Sequence, residues 1–219
     1  RIFCTRWTGL YKDDAISSVE HRANLVLLLK YGMDFIKNYT MSGWVKMPNY
    51  RLNLPDYSDR AIFEGLVNHL IHRDYTVMGG EVHIDIYDDR VELVSPGAML
   101  DGTQIQDRDI YKVPSMRRNP VIADVFTQLD YMEKRGSGLR KMRELTEKLP
   151  NFLQGKEPQY QTEATSFYTT FYNLNWNESG RIPVEEVANR VNSTLEKYPV
   201  NEETVSYTHL RAHETSLHL

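Results

Sequence analysis

The sequence predicts a domain of the α+β class, in which helices and strands share one hydrophobic core. One observation is a helical repeat in the centre of the chain, formed by Ile62, Phe63, Leu66, Val67, Leu70 and Ile71. A second is a hairpin pattern, because EVHIDIY and VELVS alternate in hydrophobicity around a turn at 88–90. A third is the composition: 219 residues, 41% hydrophobic and 26% charged, are enough for one good core.

Bulk charge and cysteine content exclude several functional classes. The formal net charge is −4, so the chain as a whole has no strong nucleic-acid footprint. Cys4 is the single cysteine, which excludes an internal disulfide framework. The sequence has neither an apolar run of roughly 18–20 residues nor a signal-peptide pattern. We therefore predict a cytoplasmic protein with no membrane partner, and we expect a fragment because the chain starts at Arg1.

The N-terminal elements follow from local patterns. The opening IFCTRW predicts a strand, and a helix is expected over 18–39 with Ser17 or Ser18 as its N-cap. SGWVK predicts a further short strand. The central helix follows a proline, and either Ser58 or Asp59 is its candidate N-cap.

The second half of the chain predicts one long loop and a further group of elements. A polar loop covers 96–118, and a loop of this length inside a compact domain is usually a lid or a binding loop. Helices are expected over 120–129 and 138–149. PQYQTEA and SFYTTFYNL predict two strands, and 181–205 predicts a polar helical segment. In SFYTTFY the alternation places Phe167, Thr169 and Phe171 inward and Tyr168 and Tyr172 outward. The two outward tyrosines could belong to the edge of the core, or they could form a dimer surface or a nucleic-acid surface.

Two polar residues beside the apolar stripe of the central helix indicate a site. Glu64 and Asn68 are one helical turn apart, a rise of about 6 Å. An amide oxygen can bind Mg²⁺, which carries phosphates with it, so Asn68 is the candidate metal ligand. A carboxylate one turn away could hold a water for attack on phosphorus, so Glu64 is the candidate catalytic residue. Alternatively, Glu64 is an ordinary surface glutamate and Asn68 is a capping residue or a residue at the edge of the core.

Two glycine-containing stretches could meet this helix. Gly97 follows Ser95 at the end of a strand, where a glycine lets a ligand approach the backbone. Gly136, Ser137 and Gly138 open a helix, and free N–H groups at a helix start suit a phosphate. The sequence therefore predicts one ligand site built from three distant stretches.

These stretches resemble a known family. EGLVNHLIHRDY, IYDDRVELVSPGAML and RRNPVIADVFTQLDYMEKRGSGL look like the Bergerat-type (GHKL) ATPase-like domain of bacterial regulators, which is often labelled RecG C-terminal helicase or ATP-binding protein. The resemblance covers roughly 43–173 and implies a two-layer α/β sandwich with helices on one face of a mixed sheet. It also implies ATP and Mg²⁺ as cofactors. No P-loop motif occurs in the chain, so the helicase label has no support in these residues.

The resemblance implies roles for the candidate residues. Asn68 corresponds to the N-box Asn that binds Mg²⁺ and phosphates, and Glu64 corresponds to the base used where hydrolysis occurs. Gly97 corresponds to the first glycine box. Gly136 and Gly138 correspond to the second, which lies in a lid over 98–135. The implied function is an ATP-binding regulatory domain of a transcriptional regulator, at most a slow ATPase, with DNA bound through absent domains and a homodimer as a further expectation.

One position departs from the family pattern. The wider group recognises the adenine amino group with an Asp two positions before the first glycine, and this chain has Ser95 there. A hydroxyl can accept a hydrogen bond, but it is shorter than a carboxylate and uncharged. This departure motivates an alternative function, a degenerate Bergerat scaffold for dimerisation or domain coupling without nucleotide binding.

The resemblance also divides the chain into segments. We expect 1–42 to be a strand and linking helix that join an absent N-terminal domain, and 43–175 to be the ATP-binding-like domain. A C-terminal helical segment, 176–205, would begin a winged helix. The tail 206–219 resembles a translated sequencing-adapter artefact.

Two further groups were open between function and structure. Arg117, Arg118 and Asn119 end the long loop, where they either reach phosphates or form a solvated N-cap turn before a proline at the first helical position. Asn119 is therefore a candidate cofactor ligand. His69 and His72 are three residues apart, a weak metal-site signal because no cysteine accompanies them.

Overall fold

The computed structural model describes residues 1–47, 49–132 and 137–197, and it is built around a six-stranded mixed sheet. The strands are β1 (Ile2–Trp7), β2 (Ala15–His21), β3 (Ser42–Lys46), β4 (Arg51–Pro55), β5 (Val82–Ile86), β6 (Arg90–Pro96), β7 (Gln159–Thr162), β8 (Ser166–Tyr172), β9 (Trp176–Asn177) and β10 (Gly180–Arg181). The helices are α1 (Leu25–Tyr39), α2 (Asp59–Ile71), α3 (Pro120–Gln128), α4 (Gly138–Glu147) and α5 (Val184–Lys197).

The main sheet has the strand order β2-β1-β5-β6-β8-β7. β1 runs parallel to β5, and every other neighbouring pair in this sheet is antiparallel. The predicted hairpin is confirmed as β5 and β6, in which Ile84 lies opposite Leu93. The predicted strand SFYTTFY is confirmed as β8, with Thr169 and Phe171 buried as its alternation predicts.

The helices cover one face of the sheet, which confirms the predicted two-layer α/β sandwich. α1 contacts β1 and β5, α2 contacts β6 and β8, and α4 packs on α2. Gly65 allows α2 to lie close to the sheet, because a Cβ there would stand 2.9 Å from Phe171 Cζ and 3.2 Å from Leu93 Cδ1. Ser58 is the N-cap of α2, as predicted, and its hydroxyl accepts a hydrogen bond from the backbone N–H of Ala61.

The first helix begins later than the sequence pattern indicated. The prediction of a helix over 18–39 is wrong for its first seven positions, because β2 pairs with β1 as an antiparallel edge strand up to His21. The N-cap of α1 is Asn24 rather than Ser17 or Ser18, and its side-chain oxygen accepts a hydrogen bond from the N–H of Leu27. Ser17 and Ser18 lie in the strand, where a half-exposed edge accommodates small polar side chains.

Residues of the N-terminal segment belong to the same core as the rest of the sandwich. Ile2, Cys4, Leu28 and Leu29 are all at most 2% exposed and join the main hydrophobic cluster. The segment 1–42 therefore packs as part of this fold, and its role as a junction to another domain stays a prediction.

A smaller hydrophobic cluster lies beside the sandwich. α5 packs against the β3–β4 hairpin through Val187 and Val191, which contact Leu54 and its neighbours. The winged-helix prediction for 176–205 stays a prediction, and its last positions lie outside the described residues, as does the tail 206–219. No helix of the described residues is long and apolar enough to cross a membrane.

Candidate functional site

A cleft opens on the helix-covered side of the sheet, between α2, the start of α4 and the long loop after β6. Its volume is about 1120 Å³ when counted out to the solvent at its mouth. Six of the eight candidate ligand-site residues line it: Glu64, Asn68, Ser95, Gly97, Ser137 and Gly138. The three distant stretches therefore meet at one cleft, and its role as a ligand site stays a prediction.

One wall of the cleft is a face of α2. Glu64, Asn68 and His72 follow each other at intervals of four residues, so they stand one above the other on that face. Glu64 is 5% exposed, and its Oε2 lies 3.6 Å from the Lys141 ammonium of α4. A carboxylate within the cleft is thus already next to a cation from the opposite wall.

The start of α4 forms the opposite wall and lies directly against Asn68. A Cβ at Gly138 would stand 2.7 Å from Nδ2 of Asn68, so a larger residue there would displace the Asn68 amide. The first turn of α4 contains no acidic residue. Its N-terminal N–H groups and the positive end of the helix dipole therefore remain suited to an anion beside Asn68.

The floor of the cleft contains a hydrogen-bonded chain of three buried side chains. Nδ1 of His69 is 2.9 Å from the Ser95 hydroxyl, and Nε2 is 3.0 Å from the Thr169 hydroxyl. Each of the three side chains is at most 3% exposed, and all three line the cleft. Desolvation, with a smaller effect of His72, lowers the pKa of His69 to about 3, so the ring is neutral at physiological pH.

Gly97 is covered by the end of the long loop. A Cβ at Gly97 would stand 3.2 Å from the guanidinium carbon of Arg118, and the φ angle of Gly97 is +111°, a conformation that favours glycine. Arg118 donates a hydrogen bond to the carbonyl of Ala98 and lies 3.3 Å from a carboxylate oxygen of Asp74. The two ends of the loop are therefore fastened to each other over the predicted ligand-approach point.

Positive charge is concentrated around the cleft. Arg117 and Arg118 line it, and Lys141 of α4 lies beside it next to Glu64. Each of these three cations lies within 3.6 Å of a carboxylate oxygen of the protein. The pKa of His72 is lowered by burial first and then by the charges of Arg118 and Arg117. An anionic ligand would find three cations here that can exchange a protein carboxylate for the ligand.

Two of the predicted residues are not seen to contribute to the cleft. Asn119 is the N-cap residue of α3 by position, but its amide donates to the carbonyls of Ile71 (2.7 Å) and Arg73 (2.8 Å). It therefore ties the start of α3 to the end of α2, where four carbonyls lack helical partners. Gly136 lies outside the described residues.

Sequence reasoning missed the roles of three residues at the site: His69 and Thr169, which line the cleft, and Lys141, which lies next to Glu64. His69 was considered only as half of a metal pair, and the described residues contain no group of three His, Cys, Asp or Glu side chains that could hold a metal ion. A signal was available, since His69 interrupts the apolar stripe of α2 between Val67 and Leu70. A buried polar side chain on such a stripe needs hydrogen-bond partners from the sheet.

The donor set fits a phosphate-bearing ligand with Mg²⁺. Mg²⁺ in proteins usually takes one or two side-chain oxygens and completes its shell with water and substrate phosphates. Asn68 offers an amide oxygen beside the α4 N-terminus, and the carboxylate of Glu64 is one helical turn away. The apolar lining residues Met99, Met132, Leu139, Met142 and Phe167 would suit a flat ring.

Comparisons with known proteins give one family match and one solved structure with a similar fold. Residues 79–171 match the family described as "Putative ATP-dependent DNA helicase recG C-terminal", which confirms the resemblance seen in the sequence. Among solved structures, the chain is similar to the DIP2311 protein from Corynebacterium diphtheriae, at 19% sequence identity and a TM-score of 0.67. That match covers 85% of this chain and 36% of the other, and it supports the sandwich fold. No curated protein matched the chain.

Proposed function

We propose that the chain is a nucleoside-triphosphate-binding regulatory domain whose ligand occupies the cleft between α2 and α4. The observation that carries the proposal is the convergence of Asn68, Gly97 and the N-terminus of α4 on one cleft. The match of residues 79–171 to an ATPase-like family supports the same class of ligand.

The phosphates are best accommodated at the α4 end of the cleft. The first turn of α4 contains no acidic residue, so its N–H groups and the positive end of its dipole suit an anion in this region, and Lys141 belongs to the same helix. Asn68 would hold Mg²⁺, whose chemical contribution is to neutralise charge on the phosphates. Removal of the Asn68 amide is therefore expected to abolish Mg²⁺-dependent binding.

The long loop is the element that binding would move. Arg118, at one end of the loop, donates a hydrogen bond to the carbonyl of Ala98 at the other end, and it also pairs with Asp74, which follows α2. A triphosphate would compete with the Asp74 carboxylate for this guanidinium, because a phosphate accepts bidentate hydrogen bonds from arginine. We therefore propose that MgATP reorders this lid and thereby changes the state of a larger regulator, with DNA contacts and a homodimer as further expectations.

Hydrolysis is expected to be slow. Glu64 is the candidate base, but the Lys141 ammonium lies 3.6 Å from its carboxylate. A base that is to orient an attacking water must have its oxygen available to that water. Binding without rapid turnover suits a switch better than a catalyst.

A degenerate scaffold is the competing function. Ser95 in place of the expected carboxylate favours it, and so does Arg118 lying over Gly97. In that case the residues that line the cleft would have no ligand and would serve only to pack α4 against α2.

The melting temperature with and without millimolar MgATP separates the two functions. A ligand at about 100 times its dissociation constant adds roughly 2.7 kcal/mol to the free energy of unfolding. For a chain of this size that corresponds to an upward shift of several degrees. The proposal predicts this shift with MgATP, a smaller shift without Mg²⁺, and none in Asn68→Ala. An unchanged melting temperature with MgATP would favour the degenerate scaffold.

A further inference from the structure

We propose that the floor of the cleft recognises the 6-position edge of a purine through the tautomer of His69, so that 6-amino and 6-oxo purine nucleotides bind with similar affinity. This inference rests on the proposed function, and it concerns the three side chains His69, Ser95 and Thr169.

The first step is that both ring nitrogens of His69 have hydroxyl partners. Ser95 is on β6 and Thr169 is on β8, two positions along β8 from Phe167, the residue paired with Ser95. Both hydroxyls reach the ring from the sheet face that α2 covers. His69 therefore bridges two neighbouring strands diagonally at the bottom of the cleft.

The second step is that the ring is neutral. The ring is buried, and each of its nitrogens faces a neutral hydroxyl rather than a carboxylate, so the neutral form is favoured, in which one nitrogen carries a hydrogen and the other carries a lone pair. The N–H must donate to one hydroxyl, and the lone pair must accept from the other. The two hydroxyls therefore have opposite roles towards His69, and exchanging the tautomer exchanges those roles.

The bond that each hydroxyl makes to His69 determines whether it can donate a hydrogen bond to a ligand or only accept one. A hydroxyl that donates to His69 has only lone pairs left for the cleft, and one that accepts from His69 can still donate its hydrogen. The floor therefore always presents one donor and one acceptor. Which of Ser95 and Thr169 is the donor depends on the tautomer of His69.

This pattern complements both kinds of purine edge. For a 6-amino purine, the Ser95 hydroxyl accepts a hydrogen bond from the amino group and donates its own hydrogen to Nδ1 of His69. Nε2–H of His69 then donates to the Thr169 hydroxyl, and that hydroxyl donates its hydrogen to purine N1. For a 6-oxo purine, every donor and acceptor in this chain is reversed, and Ser95 donates to the oxygen. Both arrangements satisfy every polar atom, so neither edge leaves a buried group unpaired.

A carboxylate at position 95 would behave differently. An ionised carboxylate only accepts hydrogen bonds, so it would favour the 6-amino edge and repel the 6-oxo edge. Ser95 with His69 therefore gives a broader purine specificity than an aspartate would give.

The matched ligands are MgATP and MgITP, which differ only at the 6-position edge of the base. We expect calorimetry on the full chain to give dissociation constants within about tenfold of each other. Binding of ATP with ITP more than about tenfold weaker would overturn this inference and leave the proposed function intact. Binding of neither nucleotide would overturn the proposed function and this inference with it.

The variant Ser95→Asp tests the origin of the tolerance. It should weaken MgITP relative to MgATP by more than about tenfold, whereas a purely structural effect would weaken both equally. An unchanged ratio in a folded Ser95→Asp protein would contradict the inference.

Nitrogen-15 NMR of the histidine side chains tests the tautomer on the unmutated protein, and it does not depend on whether Ser95→Asp folds. The His69 signals are assigned by their absence in His69→Gln. We expect Nε2 to carry the hydrogen in the MgATP complex and Nδ1 to carry it in the MgITP complex. The same protonated nitrogen in both complexes would overturn the inference.

Discussion

Two buried polar networks in this protein differ in charge and in what they do. The first surrounds Asp56, which is 2% exposed and accepts hydrogen bonds from both terminal nitrogens of Arg181, from the amide of Asn175 and from the backbone N–H of Met41. The second is the neutral chain Ser95–His69–Thr169. The Asp56 network lies outside the cleft, whereas the His69 network forms its floor.

The difference between them is the number of hydrogen-bonding arrangements each permits. Every partner of Asp56 is a fixed donor and the carboxylate is an acceptor, so its network has one arrangement. The imidazole and hydroxyls around His69 can each donate or accept, so that network has two. A charged buried network specifies one structure, and a neutral network of this kind retains a choice that a ligand can decide.

Among substitutions at neutral pH, we expect the greatest loss of stability at Asp56. Asp56→Ala leaves the Arg181 guanidinium and the Met41 N–H without their acceptor, and we expect the free energy of unfolding to fall by about 3 kcal/mol. This is the low end for a buried pair, because the Arg181 side chain is 36% exposed. Urea unfolding measures the change. The control Asp34→Ala, at an exposed pair with Lys30, should leave stability unchanged within error. Equal effects at the two sites would contradict the account.

The next effect is a pH dependence that originates at His69. Its pKa is about 3 in the folded protein and about 6.5 when unfolded. The contribution of the neutral His69 ring to the free energy of unfolding is therefore fully present above pH 6.5 and is lost as pH falls towards 3. The slope is about 1.4 kcal/mol per pH unit for one proton. The lowered pKa of His72 adds an effect of the same sign. His69→Gln should reduce the proton uptake on unfolding at pH 4–6 by about one. An unchanged uptake would mean that His69 is not held neutral.

The smallest effect is at Gly65, which sets the distance between α2 and the sheet beneath His69. Alanine is the better helix former by about 1 kcal/mol, yet its Cβ would meet the rigid Phe171 ring at 2.9 Å. We expect overpacking to prevail, with a net loss of roughly 1 kcal/mol in urea unfolding. Gly32→Ala is the matched control, because its nearest atoms are flexible methyl groups of Leu66 and Ile84. It should cost less than Gly65→Ala, and the reverse order would contradict this packing account.

The periodic hydrophobic patterns of the sequence were sufficient to predict most of the fold. The period of α2, the alternation of β8 and the hairpin of β5 and β6 are local patterns, and each was predicted correctly. The start of α1 was not, because β2 forms only as a partner for β1. Edge pairing depends on the strand next to it, and a single segment contains no signal for that.

The candidate site was predictable where family motifs mark it and not where the sheet completes it. Asn68 and Gly138 lie in recognisable motifs, and they meet as expected. Thr169 joins the site from a strand that is 100 residues away from His69 in the chain, so only the register of β6 and β8 brings them together. The position of Asn119 at the end of the long loop permits either a phosphate contact or an N-cap role, and the structure places it at the N-cap of α3 with its amide bonded to carbonyls at the end of α2.

Calorimetry of MgATP with the unmutated chain, Asn68→Ala and Asn53→Ala determines directly whether the cleft binds a nucleotide through Asn68. Asn53 is an exposed residue of β4 outside the cleft, so its variant controls for loss of an amide as such. The account predicts binding to the unmutated chain and to Asn53→Ala, with no detectable binding to Asn68→Ala. Absence of binding to all three folded proteins would contradict the proposed nucleotide binding. It would favour a scaffold in which the residues between α2 and α4 serve only to pack the two helices together.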